Sequence, residues 1–252
     1  MGKRKLIAFD LDDTLAVTKS PISDVMSERL RELLEIYEVC VISGGNFEQF
    51  KIQVVDRMQA EDRLLERMHL MPTCGTRYFR YSSKTQEWSK VYAENLTDEQ
   101  KSEIAKVLEE GAKHLGFWPA NPVGPIIEDR ESQITFSGLG QFALPEDKYG
   151  WDPDGTKKHA LRDYAADRLP GIEVRVGGTT SVDVTRPGID KAYGMKKLME
   201  HLNIEREDIL FFGDKLEEGG NDYPVKAMGI DCITVKHQDD TVLALEAIIK
   251  TA

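Results

Sequence analysis

Residues 6–13 pass from four consecutive apolar side chains, Leu6-Ile7-Ala8-Phe9, to three carboxylates, Asp10, Asp12 and Asp13. A short unbroken apolar run is what a strand buried on both faces needs, and such strands belong to parallel sheets covered by helices. Asp10 and Asp12 lie two apart, so in extended chain they point the same way. Like charges placed together are costly unless a cation or a proton relieves them. Open parallel sheets bind ligands outside the carboxyl ends of their strands. This one segment therefore predicts an α/β core with a site at the end of its first strand. The plainer reading is that the carboxylates cap a turn or the next helix, and it stands until other segments agree.

They do agree. Val39-Cys-Val-Ile-Ser43 reads as a second buried strand, closed by Gly44-Gly45, and Ile209–Gly213 and Cys232–Val235 read the same way. Between them the apolar spacing turns helical: Met26, Leu30, Leu33, Leu34 and Tyr37 follow Ser23 as a candidate cap, and Phe47, Phe50, Val54 and Met58 follow the glycines. Tyr193–Leu202 and Thr241–Lys250 read as further helices. Strand–helix alternation implies parallel βαβ units. From 81 to 186 the grammar changes to short strands (125–127, 133–136, 172–176, 181–184) around two helices, one capped by Thr97 and one over 155–169. Loops rich in Pro and Gly, 118–125 and 145–155, separate them. The expected organisation is an α/β core of 1–80 and 187–252 with an α+β insertion at 81–186.

Composition narrows the function. Lys plus Arg number 33 and Asp plus Glu 44, a net charge of −11. Nucleic-acid and anionic-membrane binders need a dominant basic field, so neither partner is expected. No apolar run approaches the ~18 residues of a membrane span. The basic start, Met1-Gly2-Lys3-Arg4-Lys5, precedes too short an apolar stretch for a signal peptide, so a cytoplasmic location is expected. The three cysteines, Cys40, Cys74 and Cys232, form no CxxC pair and read as small core residues.

Three more segments carry chemistry. Ser43 ends a strand and is followed by Gly44-Gly45; a hydroxyl beside bare backbone amides is a phosphate cradle, though the same residues make an ordinary turn. Gly213-Asp214 ends another strand and Gly219-Gly220-Asn221-Asp222 follows, putting two more carboxylates in a glycine-rich loop at a strand's carboxyl end. Lys191 precedes an amphipathic helix and alone reads as a solvated lysine.

The order DxDxT, then Ser43, then Lys191, then Gly213-Asp214 with Asn221-Asp222, resembles the haloacid dehalogenase superfamily of phosphotransferases over essentially the whole chain. The insertion between Ser43 and Lys191 is similar to the large α/β cap of one of its subclasses. Ile42-Ser43-Gly44-Gly45, Gly213-Asp214-Lys215, Gly219-Gly220-Asn221-Asp222 and Ser181-Val182-Asp183-Val184 further resemble eukaryotic-type phosphomannomutase and related sugar-phosphate phosphatases. The resemblance implies a Rossmann-like, doubly wound parallel core with an inserted cap. It also implies that Asp10 attacks phosphorus and that Asp12 handles the proton. Mg²⁺ is implied at Asp10, the Asp12 backbone carbonyl, Asp214 and Asp222, with Asn221 helping to orient that shell. Ser43, Gly44 and Lys191 are implied at the phosphoryl oxygens, and Arg130, Ser181 and Asp183 of the cap at the substrate. Arg175 and Arg186 are weaker cap candidates, and the implied assembly is a monomer or a homodimer paired through the cap.

The match has departures. Gln141 and Lys19 stand where the phosphomannomutase family has arginine, and Asp13 replaces the usual glycine. A mutase must hold a bisphosphorylated intermediate, for which arginine forks are suited. Gln carries no charge and Lys lacks the fork. On sequence alone, a Mg²⁺-dependent phosphatase acting on a phosphorylated sugar or similar small metabolite is therefore preferred. A hexose-phosphate mutase using the same nucleophile is the alternative, with Arg175, Arg186 or Lys157 as sources of the missing charge. A non-catalytic binding protein is a remote third reading, because every catalytic position carries the expected residue type.

Overall fold

The computed structural model describes residues 4–252; the expectation placed on Met1-Gly2-Lys3 lies outside them. Eleven strands among these residues form two sheets. The larger sheet has the order β11-β10-β1-β2-β3-β4-β5. Its strands are β1 (Leu6–Phe9), β2 (Glu38–Ile42), β3 (Met68–Met71), β4 (Arg77–Ser82), β5 (Glu87–Ala93), β10 (Ile209–Gly213) and β11 (Asp231–Thr234). β11, β10, β1, β2 and β3 run parallel, and β4 and β5 close one edge antiparallel. The chain fills one side of β1 first and returns on the other side with β10. The strand order therefore reverses at β1, the place where open α/β sheets bind ligands.

β1 is fully buried because it packs on both faces. Ile7 and Phe9 join Met26, Leu30, Leu33 and Leu34 of the Asp24–Ile36 helix on one side. Leu6 and Ala8 join Met195 and Leu198 of the Lys191–Leu202 helix on the other. The Asp24–Ile36 helix starts where expected: Ser23 accepts the Met26 N–H at 3.1 Å, satisfying one of its orphan donors.

The chain divides into two compact units: residues up to Ala93 with Asp190–Ala252, and Glu94–Ile189. The insertion thus begins at 94 rather than 81 and ends at 189 rather than 186. The reason is pairing: β5 lies against β4, with Tyr81 opposite Trp88 and Ser82 opposite Glu87, so residues 81–93 extend the core sheet. The second unit has its own sheet, β6-β7-β9-β8, built from β6 (Ile127–Asp129), β7 (Gln133–Ser137), β8 (Glu173–Val176) and β9 (Ser181–Thr185). Its apolar face, Ile134, Phe136, Val182 and Val184, packs on Ile104 and Leu108 of the Asp98–His114 helix and Leu161 of the Thr156–Ala166 helix. Residues 145–155, expected as loop, contain a helix over Pro145–Trp151. Proline there occupies the first turn, where no N–H is needed. The helix expected from Phe47 runs over 47–58, with a π-helical middle at Lys51–Val55. No helix among the described residues is long and apolar enough to cross a membrane.

Candidate active site

Because β10, β1 and β2 are parallel neighbours, the residues that follow them, Asp214, Asp10 and Ser43, lie at the same carboxyl end of the sheet. Asp10 continues the ladder past Phe9, its N–H donating to Phe212 O at 2.9 Å, and its side chain is buried. Lys191 opens a helix capped by Asp190, which accepts the Tyr193 N–H at 2.9 Å. Its ammonium, 1% exposed, lies 2.5 Å from Asp10 Oδ1 and 2.5 Å from Asp222 Oδ1. Asp222 Oδ2 accepts the Lys215 N–H at 3.1 Å. A Cβ on Gly213 would fall 2.6 Å from the Asp222 carboxylate, so glycine at the end of β10 lets that carboxylate approach.

Burial pushes the Asp10 carboxyl up from its ordinary value, reinforced by the Asp222 and Asp214 charges and opposed by Lys191. Burial alone would lower Lys191, but the Asp10 and Asp222 charges reverse this and hold it protonated. Burial also raises Asp214. The carboxylate oxygens of Asp10, Asp214 and Asp222 lie within 4.8 Å of one another. Asp214 Oδ1 is buried without a hydrogen-bond partner. Three hard oxygen donors, one of them orphaned, suit a small divalent cation such as Mg²⁺. The Asp12 side chain is not part of this group.

Asp12 is held elsewhere. Its Oδ1 accepts the Lys19 N–H at 2.8 Å and Gln53 Nε2 at 3.2 Å, and its Oδ2 meets the Lys19 ammonium at 2.8 Å. Burial raises this carboxyl, but the Lys19 charge and the three hydrogen bonds outweigh it and bring it to about 2. Asp13 sits at φ +63°, the left-handed region, which explains why glycine suits this position in the resembling family. Ser43 is buried, and its carbonyl accepts the Cys74 N–H at 3.0 Å. Gly44 follows it in the loop, and Asn221 is exposed.

In the second unit, β7 pairs with β9 so that Thr135 opposes Asp183 and Ser137 opposes Ser181. Strand alternation puts these four on the face opposite the apolar core. Thr135 donates to Asp183 Oδ1 at 2.8 Å. Arg130, also buried, donates from Nη2 to both oxygens of Glu128 at 3.0 Å and from Nε to Oε2 at 3.3 Å, and Ser137 donates to Glu128 at 2.7 Å. Arg175 is in register with Asp183 and pairs with Glu173. Arg186 bonds the Asn95 carbonyl, and Lys157 donates to Trp151 O at 2.6 Å. Sequence reading misses three polar side chains: Gln53 in the core unit, and Glu128 and Lys148 in the inserted one. The Lys148 ammonium, buried, donates to Gln141 O at 2.7 Å, and it comes from the helix that had read as loop. Gln53 and Glu128 gave no signal, since each matters only through a partner fixed by the fold.

Comparison with known proteins fits this arrangement. Residues 26–251 match the model of the family described as eukaryotic phosphomannomutase. A probable phosphomannomutase of Caenorhabditis elegans is 26% identical over 99% of this chain and 97% of its own. The phosphomannomutase of Schizosaccharomyces pombe is 27% identical over 97% and 94%. Among solved structures, an IMP-bound mutant of the Plasmodium falciparum IMP-nucleotidase superposes with a TM-score of 0.72 at 16% identity, covering 99% of this chain and 68% of that one. A haloacid dehalogenase-like hydrolase from Bacteroides thetaiotaomicron superposes with a TM-score of 0.63 at 19% identity, covering 98% and 100%. The structural likenesses establish a haloacid dehalogenase-like fold, and the match over nine-tenths of the sequence shows the family: the chain belongs to the eukaryotic phosphomannomutase family.

Proposed function

We propose that this protein is a hexose-phosphate mutase that moves a phosphoryl group between positions of a sugar through Asp10. The observation that carries the reading is the pairing of Asp10 with the buried Lys191 ammonium at the carboxyl end of β1, in a chain that matches phosphomannomutases along nearly its whole length. The bond from phosphorus to the sugar oxygen breaks as a bond to an Asp10 carboxylate oxygen forms. Asp12 gives the leaving oxygen its proton. In the return step Asp12 takes a proton from the accepting hydroxyl, and the phosphoryl group leaves Asp10. Lys191 and the amides of the Ser43–Gly44 turn counter the charge on the phosphoryl oxygens. Asp10, Asp214 and Asp222 would hold Mg²⁺, which when bound supplies further positive charge at the phosphoryl group. With Lys19 at 2.8 Å, Asp12 is a carboxylate and fits the proton-accepting half; the donating half requires Lys19 to leave it. Arg130, Ser181 and Asp183 keep their proposed role as sugar contacts, and the partner remains a small phosphorylated metabolite.

The sequence ranks hydrolysis first, on the missing arginines at 141 and 19. Lys148 weakens that ranking, because its ammonium puts a cation beside the Gln141 backbone. One observation still favours a phosphatase: the Arg130 fork is already engaged by Glu128, which reduces what it can offer a distal phosphate. Phosphorus NMR separates the two. With mannose 1-phosphate, a hexose 1,6-bisphosphate and Mg²⁺, mannose 6-phosphate should accumulate with little inorganic phosphate. Inorganic phosphate as the main product would favour the phosphatase.

A further inference from the structure

Asp12 is tethered by two side chains of different kinds. Lys19 is flexible, half-buried and bears charge. Gln53 is neutral and 3% exposed, and its amide is itself fixed, since Nε2 also donates to Ser20 O at 2.9 Å. Gln53 O accepts the Ile22 N–H at 2.8 Å. Residue 53 therefore fastens the 12–22 loop at three points: Asp12 Oδ1, Ser20 O and Ile22 N. It is the central residue of the π segment Lys51–Val55. A π turn holds one more residue than an α turn and recurs at functional sites. Here Phe50 and Val54 keep their places in the core while Gln53 reaches the loop. A buried amide is costly unless bonded, and this one directs its donors at the loop bearing Asp12.

We infer that Gln53 is a positioning residue that orients the Asp12 carboxyl for proton transfer. Oδ1 faces two donors that cannot swing away, the Lys19 backbone N–H and the Gln53 amide. Among the described residues, Oδ2 meets the end of the Lys19 side chain at 2.8 Å, and that long side chain can pivot. This inference rests on the proton-transfer role proposed for Asp12.

The test compares two phosphoryl donors in single-turnover phosphorylation of the full chain with Mg²⁺. Mannose 1,6-bisphosphate has a sugar hydroxyl as leaving group, which must gain a proton. Acetyl phosphate releases acetate, which needs none. The ratio of the two rates isolates proton transfer from folding and metal binding. Asp12→Asn should lower that ratio about 100-fold or more. Gln53→Met, which keeps length and apolar bulk but removes the donor, should lower it roughly tenfold with little change in the bisphosphate concentration at half-maximal rate. If Gln53→Met does not fold, Gln53→Asn carries the same test, because its amide falls one methylene short of Asp12. An unchanged ratio in Asp12→Asn would overturn the Asp12 role and this inference with it. A lowered ratio in Asp12→Asn with an unchanged ratio in the Gln53 variants, including equal loss of both rates from a loosened loop, would overturn the inference alone.

Discussion

Burial dominates the surroundings of Asp10, which lies between an ammonium that favours its charge and two carboxylates that oppose it. Asp10→Asn keeps the shape and removes one buried charge, while Lys191 retains Asp222. The variant should lose turnover by ~10⁴-fold or more while its metal-free melting temperature stays level or rises. Steady-state kinetics and thermal melts check the two halves separately, and a collapsed fold would assign Asp10 a structural role instead. At Gln141 the expected effect is on product choice. Gln141→Arg should raise the ratio of isomer formed to phosphate released, read from the same phosphorus spectra, because a fixed fork holds a distal phosphate better than an amide does. Cys74 sits at φ +54° and ψ +32°, in the left-handed region that costs most residues roughly 1–2 kcal/mol. Cys74→Asn should stabilise the protein by about 0.5–1 kcal/mol in urea unfolding, since asparagine tolerates that conformation.

At the scale of elements, β3 carries a buried titratable group outside the site. His69 is fully buried, with Nδ1 2.7 Å from Tyr78 Oη and Nε2 3.0 Å from Glu38 Oε2. Burial lowers its pKa, Arg80 adds to this, and Glu38 opposes without reversing it. An unfolded histidine takes its proton near ~6.5, and the folded His69 takes it only at lower pH. The unfolded chain therefore binds more protons between those two values, and stability falls as pH drops below about 6.5. Melting temperature should fall from pH 7.5 to 5.5, and His69→Gln should flatten that dependence; an unchanged slope would remove His69 as the cause. The elements most legible in the sequence were those whose burial is one-sided or complete: β1 as an unbroken apolar run, and the Asp24–Ile36 helix with its Ser23 cap. β3 was not legible because His69 interrupts its apolar run. β4 and β5 carry Arg77, Arg80, Glu87 and Lys90, as suits a sheet edge facing solvent, and pairing rather than composition makes them strands. The Pro145–Trp151 helix was hidden by its proline and glycine, and with it Lys148. The carboxylates of the site were legible because like charges at a strand end need explaining. Gln53 was not, because its part depends on a π register and on a loop some thirty residues earlier.

At the scale of the molecule, a chain of net charge −11 places one buried ammonium, Lys191, among carboxylates at the point where the core sheet reverses its strand order. The core unit carries Asp10, the proposed nucleophile, Asp12, the carboxylate proposed to handle the proton, and the acidic group suited to Mg²⁺. The inserted unit carries a sheet face of Thr135, Ser137, Ser181 and Asp183 beside the Arg130–Glu128 pair. Chelation followed by Mg²⁺ addition should abolish and restore turnover, and Asp214→Asn should raise the Mg²⁺ needed for half-maximal rate about tenfold or more. The proposed phosphoryl transfer through Asp10 would unite these features, and peptide mapping tests it most directly. The protein is mixed with labelled mannose 1,6-bisphosphate and Mg²⁺, quenched in acid within one turnover, and digested. Label should appear on the peptide containing Asp10 and be absent in Asp10→Asn, and chasing with unlabelled hexose phosphate should return it to sugar. Label on another residue, or isomer formed while the protein stays unlabelled, would contradict the mechanism.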